Sequence, residues 1–145
     1  EYTNGEFWMY KEAFTPSIWN LIKALDNEKN TIIDIYKGKK SAYLEEAKWR
    51  NEIDLSKNAE EVFRSYANNG GPKGPFTVDS RYLIEDVSNG LVLLYSLGEL
   101  AHIETPITKS LISIASCLVQ KNFFEIGRTL EKLGILSKEQ LIELL

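Results

Sequence analysis

Apolar residues recur at every third or fourth position along most of the chain, and no stretch alternates apolar with polar at a period of two. The pattern predicts helices throughout, with one exception at the start. Phe7, Trp8, Met9, Tyr10 and Phe14 crowd together without a capping signal, which reads as an extended or looped segment (residues 1–14) packed on something else. Thr15-Pro16 then offers a cap and a proline at the first helical position, where a missing N–H costs nothing. Ile18, Leu21, Ile22, Leu25, Ile32, Ile33 and Tyr36 follow at helical spacing, with Gly38 where a C-terminal glycine belongs, so a long helix is expected over 16–37. Ser41 is placed to cap a shorter helix carrying Tyr43, Leu44, Ala47 and Trp49 and ending near Asn51. Asn58 and Glu61 have the spacing of a capping box ahead of Val62, Phe63 and Tyr66.

Residues 68–75, Asn-Asn-Gly-Gly-Pro-Lys-Gly-Pro, stop the helical pattern by combining tolerance of positive φ with prolines that forbid helix. This one linker-like stretch reads as a loop over a site or surface rather than as a domain boundary. Farther on, Ser88-Asn89-Gly90 reads as a break, and Leu91, Val92, Leu93, Leu94, Leu97 and Leu100 form a helix apolar on most sides, which should be central. Thr105-Pro106 opens a helix to about Gln120. Asn122 with Glu125 opens one ending at Gly134, and Ser137 with Gln140 opens the last, to Leu145. The expectation is an all-α domain, residues 1–145, of about seven helices.

Between the loop and the apolar helix lies Asp79-Ser80-Arg81-Tyr82-Leu83-Ile84-Glu85-Asp86. Taken as one short helix, its cation sits in the first turns and its acids near the end, against the preference of the helix dipole. The Arg81/Glu85 pair also has the weaker orientation, base before acid. Two readings follow. Either Arg81 ties down a loop carboxylate while Glu85 and Asp86 cap or solvate a helix end, or the three charges face a ligand. At about 100° per residue, 81 and 85 share a face while 86 points away, so a common site needs the helix to end near Asp86.

A chain of 145 residues is long enough to bury a core without staples. With 43% apolar and 26% charged residues it has an ordinary globular composition, and a net charge of −4 provides no basic footprint for nucleic acid. No apolar run is long enough to cross a membrane as a helix. The lone Cys117 lies in an apolar helical pattern and reads as a packed, reduced thiol of a cytosolic protein. His102, between an apolar helix and the next helix start, reads as a surface or loop histidine. No glycine-rich phosphate loop after a strand, CxxC, HExxH or nucleophile elbow is present.

The run Gly74-Pro75 … Arg81-Tyr82-Leu83-Ile84-Glu85-Asp86-Val87 … Gly90-Leu91-Val92, continuing to Leu97-Gly98, resembles the RYLxEDVPxGLVP signature of the α-helical C-terminal domain of the octopine/nopaline (opine) dehydrogenases. Thr105-Pro106-Ile107-Thr108 resembles the family's PTP-type helix start, and the run from Gly127 to Gly134 its GRTLxxLG. Upstream, Phe7 to Tyr10, Thr15-Pro16-Ser17 and Leu25 to Lys29 resemble its aromatic-Tyr, TPS and D-x-E-R pieces. The sequence departs from the pattern at Ser88-Asn89 and at Leu93-Leu94, where the family commonly has prolines.

The resemblance implies reductive condensation of an amino acid with an α-keto acid using NAD or NADP, the cofactor being held mainly by a Rossmann domain that this chain lacks. It implies that Arg81 binds a substrate carboxylate through a paired fork, that Asp86 orients and polarises a histidine, and that Glu85 pairs with Arg81 or fixes the helix end. That histidine belongs to a segment preceding residue 1. The expectation is therefore the substrate-binding C-terminal domain of a longer enzyme, inactive in hydride transfer by itself. Two alternatives stand beside it: a non-catalytic helical module for partner binding or homodimerisation, and the helical domain of a related β-hydroxyacid-type dehydrogenase.

Overall fold

The computed structural model describes residues 3–144. Eight α-helices occur among them: α1 (Pro16–Ile35), α2 (Tyr43–Asn51), α3 (Ala59–Asn69), α4 (Arg81–Glu85), α5 (Val92–Ala101), α6 (Pro106–Val119), α7 (Phe123–Ile126) and α8 (Lys138–Leu144). Two π-helical turns (Met9–Ala13 and Asp86–Leu91) and a 3-10 turn (Glu131–Leu133) complete the inventory. No strand is present among the described residues, and the chain is all-α. It divides into two compact units, Glu1–Asn30 with Lys40–Thr77, and Thr31–Lys39 with Val78–Leu145. Of the terminal calls above, Glu1, Tyr2 and Leu145 lie outside the described residues.

The first unit is built on aromatic rings. Phe63 of α3 is buried, with the rings of Trp19, Tyr10, Phe14 and Tyr43 at centroid distances of 5.2, 5.4, 5.7 and 6.1 Å. These edge-on, tilted and stacked geometries add to the area that the rings bury. The aromatic start of the chain thus packs as expected, although Met9–Ala13 forms a π-helical turn where an extended or looped segment was expected. The glycine-proline loop holds it there: Met9 N–H donates to the Pro72 carbonyl (3.1 Å), Gly74 N–H to the Phe7 carbonyl (2.6 Å), and Lys73 pairs with Glu6 while lying 5.5 Å from the Trp8 ring centre. Asn58 caps α3 as predicted, accepting from the N–H groups of Glu60 and Glu61.

Ser41 does not cap α2. Its backbone is already engaged with side chains of α1, the N–H donating to Asn30 Oδ1 (3.2 Å) and the carbonyl accepting from Lys29 Nζ (2.8 Å). Asp26 Oδ2 takes over the capping role by accepting from Tyr43 N–H at 3.2 Å.

In the second unit, α5 is central as its composition predicts. Val92 joins Val87, Ile112, Ala115 and Phe123 in one buried cluster, while Leu93, Leu94, Leu97 and Leu100 pack on a second formed by Ile32, Tyr36, Leu130 and Leu141. Three expectations are corrected in this unit. The left-handed residue ending α1 is Lys37 (φ 58°), not Gly38, whose N–H closes the turn onto the Ile33 carbonyl at 2.8 Å. The helix expected from Asn122 to Gly134 stops at Ile126, because Gly127 adopts an extended conformation, and only the 3-10 turn follows before Gly134. Cys117 is exposed. The buried stripe of α6 runs through Thr108, Ile112 and Ala115, which leaves Cys117 on the outer side with Ile114 and Leu118, apolar residues that are nonetheless 57% and 58% exposed.

Candidate functional site

The charged octet does not form a short helix that ends. Asp86, Leu91 and Val92 all keep right-handed helical angles, so α4, the π turn and α5 are one continuous run, and Ser88-Asn89-Gly90 lies within the π turn rather than breaking the helix. At the boundaries the usual i−4 ladder is displaced: Asp86 N–H donates to the Leu83 carbonyl, and Val92 N–H reaches back five residues to Val87. Glu85 and Asp86 therefore sit mid-run, away from any C-terminal dipole. The electrostatic conflict inferred from sequence for the acids disappears.

The π turn also explains a feature of the apolar pattern. Leu83, Val87, Leu91 and Tyr95 all pack in one cluster although they recur strictly every four residues. In an unbroken α-helix three such steps drift around the axis by about 120°. A π turn advances through a smaller angle per residue and takes this drift back.

With Leu83, Ile84 and Val87 facing the core, Arg81, Tyr82, Glu85 and Asp86 all face outward and are exposed. At about 100° per residue, Arg81 and Asp86 lie roughly 140° apart with Glu85 between them; the helix end that a close common site was expected to need is absent, and the two residues mark the margins of a broad exposed face. No ion pair joins these three side chains to one another or to another described residue. The Arg81 guanidinium lies 5.9 Å from the Tyr82 ring centre, within cation–π range. The start of the run is capped by the Ser80 carbonyl, which accepts from Leu83 and Ile84 N–H at 3.0 Å each.

A second segment touches this run where sequence reasoning assigned no role. Arg128 N–H donates to the Ser88 carbonyl at 2.8 Å, and Leu130 N–H donates to Ser96 Oγ at 2.9 Å. Gly127 makes this approach sterically feasible: a Cβ there would lie 2.7 Å from the Phe123 carbonyl oxygen, 2.8 Å from Val92 Cγ2 and 2.9 Å from the Ser88 carbonyl oxygen. The fourfold apolar repeat was the available signal, since it marks a π turn and hence a displaced ladder.

His102 ends α5 in the left-handed conformation (φ 57°) and is exposed, as a surface histidine should be. Of the cavities of about 240 Å³ in the first unit, two are lined by Phe63, one together with Phe14, Trp19 and Arg64, the other with Tyr43, Arg50 and Tyr66. Burial, with the adjoining Tyr10 hydroxyl adding to it, pushes the Tyr43 phenol up to about 12.

Among the described residues no three His, Cys, Asp or Glu side chains gather as a metal site. A dinucleotide does not fit these elements either. A pyrophosphate cradle of the Rossmann type needs a strand running through a glycine turn into a helix, and the described residues contain no strand. Nor is any described helix long and apolar enough to cross a membrane.

The fold is that of an all-helical domain, with one guanidinium and two carboxylates unpaired among the described residues on an exposed helix face. The chain belongs to the family described as NAD/NADP octopine/nopaline dehydrogenase, alpha-helical domain, whose model matches residues 1–119. It is 32% identical over 132 residues to an opine dehydrogenase of Arthrobacter sp. (strain 1C), covering 89% of this chain and 36% of that protein. A vitopine synthase of Allorhizobium ampelinum is 30% identical over 128 residues (87% of this chain, 34% of that protein), and a protein named ocs of Agrobacterium vitis 28% over 127 (87% and 35%). The chain thus spans about a third of the length of these curated relatives.

Proposed function

We propose that residues 1–145 are the substrate-binding C-terminal domain of a cytoplasmic opine dehydrogenase, which condenses an amino acid with an α-keto acid and reduces the product to a secondary-amine dicarboxylate. The observation that carries this reading is the open face of Arg81, Glu85 and Asp86, unpaired with any described residue, in a chain of this family. Solvated charges are common on any surface, and membership of this family is what makes this face a candidate site. It leaves a guanidinium and two carboxylates available to groups from elsewhere.

Arg81 binds a substrate carboxylate through two parallel charge-assisted hydrogen bonds, with its plane steadied against Tyr82. Asp86 orients a histidine supplied by the rest of the enzyme and stabilises its imidazolium while that ring exchanges a proton with the carbonyl or carbinolamine oxygen. Glu85 lies between them, unpaired with Arg81 in this structure, and adds a second carboxylate to the face that meets the rest of the enzyme. The reducing equivalent is supplied by NAD(P)H, held by a Rossmann domain outside this chain, and by itself the helical domain is inactive.

The test is steady-state kinetics on the full-length protein. Arg81→Lys should raise KM for the keto acid or amino acid by about tenfold or more, the value of a charge-assisted hydrogen bond. Asp86→Asn should instead lower kcat by on the order of a hundredfold. Unchanged kinetics in both variants would return the face to a structural role.

A further inference from the structure

We infer that Gly127 and the main-chain N–H of Arg128 are positioning residues for Asp86, acting through the π turn that begins at that residue. The inference rests on the functional reading above, which makes Asp86 the partner of a histidine.

The hydrogen-bond ladder carries the argument. In a regular α-helix Val92 N–H would donate to the Ser88 carbonyl. Here it donates to Val87 instead, and the Ser88 carbonyl accepts from Arg128 N–H at 2.8 Å. An outside donor has replaced the helical one, so the strap and the π turn stabilise each other. Without that donor, the ladder gains by shifting back to i−4, which would turn α4 relative to α5 by up to about 100°, the angle of one residue. Asp86, the first residue of the turn, would leave its present direction.

The strap has little freedom to follow such a change. Gly127 is buried among Phe123, Val92 and Ser88, at distances where a Cβ is not tolerated. Lys132 Nζ donates to the carbonyls of Gly127 (2.9 Å) and Glu125, and Leu130, 4% exposed, is pinned to Ser96 Oγ. The GRTL segment is thus a main-chain clamp on the turn next to the acid. π turns inside α-helices recur at functional sites.

The experiment is a double-mutant cycle in the full-length enzyme, with kcat measured at saturating amino acid and keto acid for wild type, Gly127→Ala, Asp86→Asn and the double variant. If Gly127 acts through Asp86, Gly127→Ala lowers kcat by about tenfold or more in the wild-type background and by less than about twofold in the Asp86→Asn background. An equal loss in both backgrounds, or no loss in either, overturns the inference and leaves the clamp as packing alone. Should Gly127→Ala fail to fold, Ser96→Ala, which removes the Leu130 pin, is put through the same cycle with the same criteria. The functional reading fails separately: Asp86→Asn as active as wild type, or a wild type without condensing activity, removes it and the inference with it.

Discussion

The Tyr43 hydroxyl titrates near 12 because burial disfavours the phenolate and the Tyr10 hydroxyl hydrogen-bonds to it. A folded-state value above the ordinary 10 means that the native state holds its proton more tightly than the unfolded chain. The corresponding stability is fully present below pH 10 and is lost as pH rises towards 12. Thermal midpoints of the domain should fall across that window, and Tyr43→Phe, which has no proton to lose, should fall less steeply. Parallel curves for the two proteins would mean that Tyr43 is not the titrating group. Cys117 shows the opposite kind of single-residue outcome. Its apolar neighbours in sequence suggested burial, but α6 buries only the stripe through Thr108, Ile112 and Ala115, and apolar residues such as Ile114 and Leu118 lie on its other side as well.

Elements were legible wherever a local signal was chemically sufficient. Asn58 caps α3 through its own side chain, and Asn58→Ala should destabilise the domain by about 1 kcal/mol, read as a lower thermal midpoint with the helical far-ultraviolet signal retained. Pro106 opens α6 and Gly134 ends the 3-10 turn for equally local reasons. Failures occurred where the deciding partner was remote. Ser41 lost its capping role to Asp26 because α1 already held its backbone, and Gly127 ended a helix because the Ser88 carbonyl needed the next N–H. The π turn is the instructive case. Ser88-Asn89-Gly90 carries every local mark of a break, yet the four-residue recurrence of Leu83, Val87, Leu91 and Tyr95 requires a helical run that continues through it.

The same distinction holds for the site. The three charges of the octet were conspicuous in sequence, and their common outward face follows from the core demands of Leu83, Ile84 and Val87. The strap that meets the turn was harder to see: the four-residue repeat marks a displaced ladder, but the donor that meets it is a backbone N–H about forty positions away.

At the scale of the whole molecule, the chain covers about a third of the relatives it matches, and its described residues hold a charged face but no dinucleotide-binding unit. In the proposed function this domain grips the substrate carboxylate and supplies Asp86, while another domain supplies cofactor and histidine. The most direct measurement is oxidation of NADH or NADPH in the presence of a panel of amino acids and α-keto acids, for the full-length protein and for residues 1–145 alone. The full-length protein is expected to consume cofactor only when an amino acid and a keto acid are both present, and the domain alone to consume none. Cofactor oxidation by the isolated domain, or none by the full-length protein with any pair, would contradict the account.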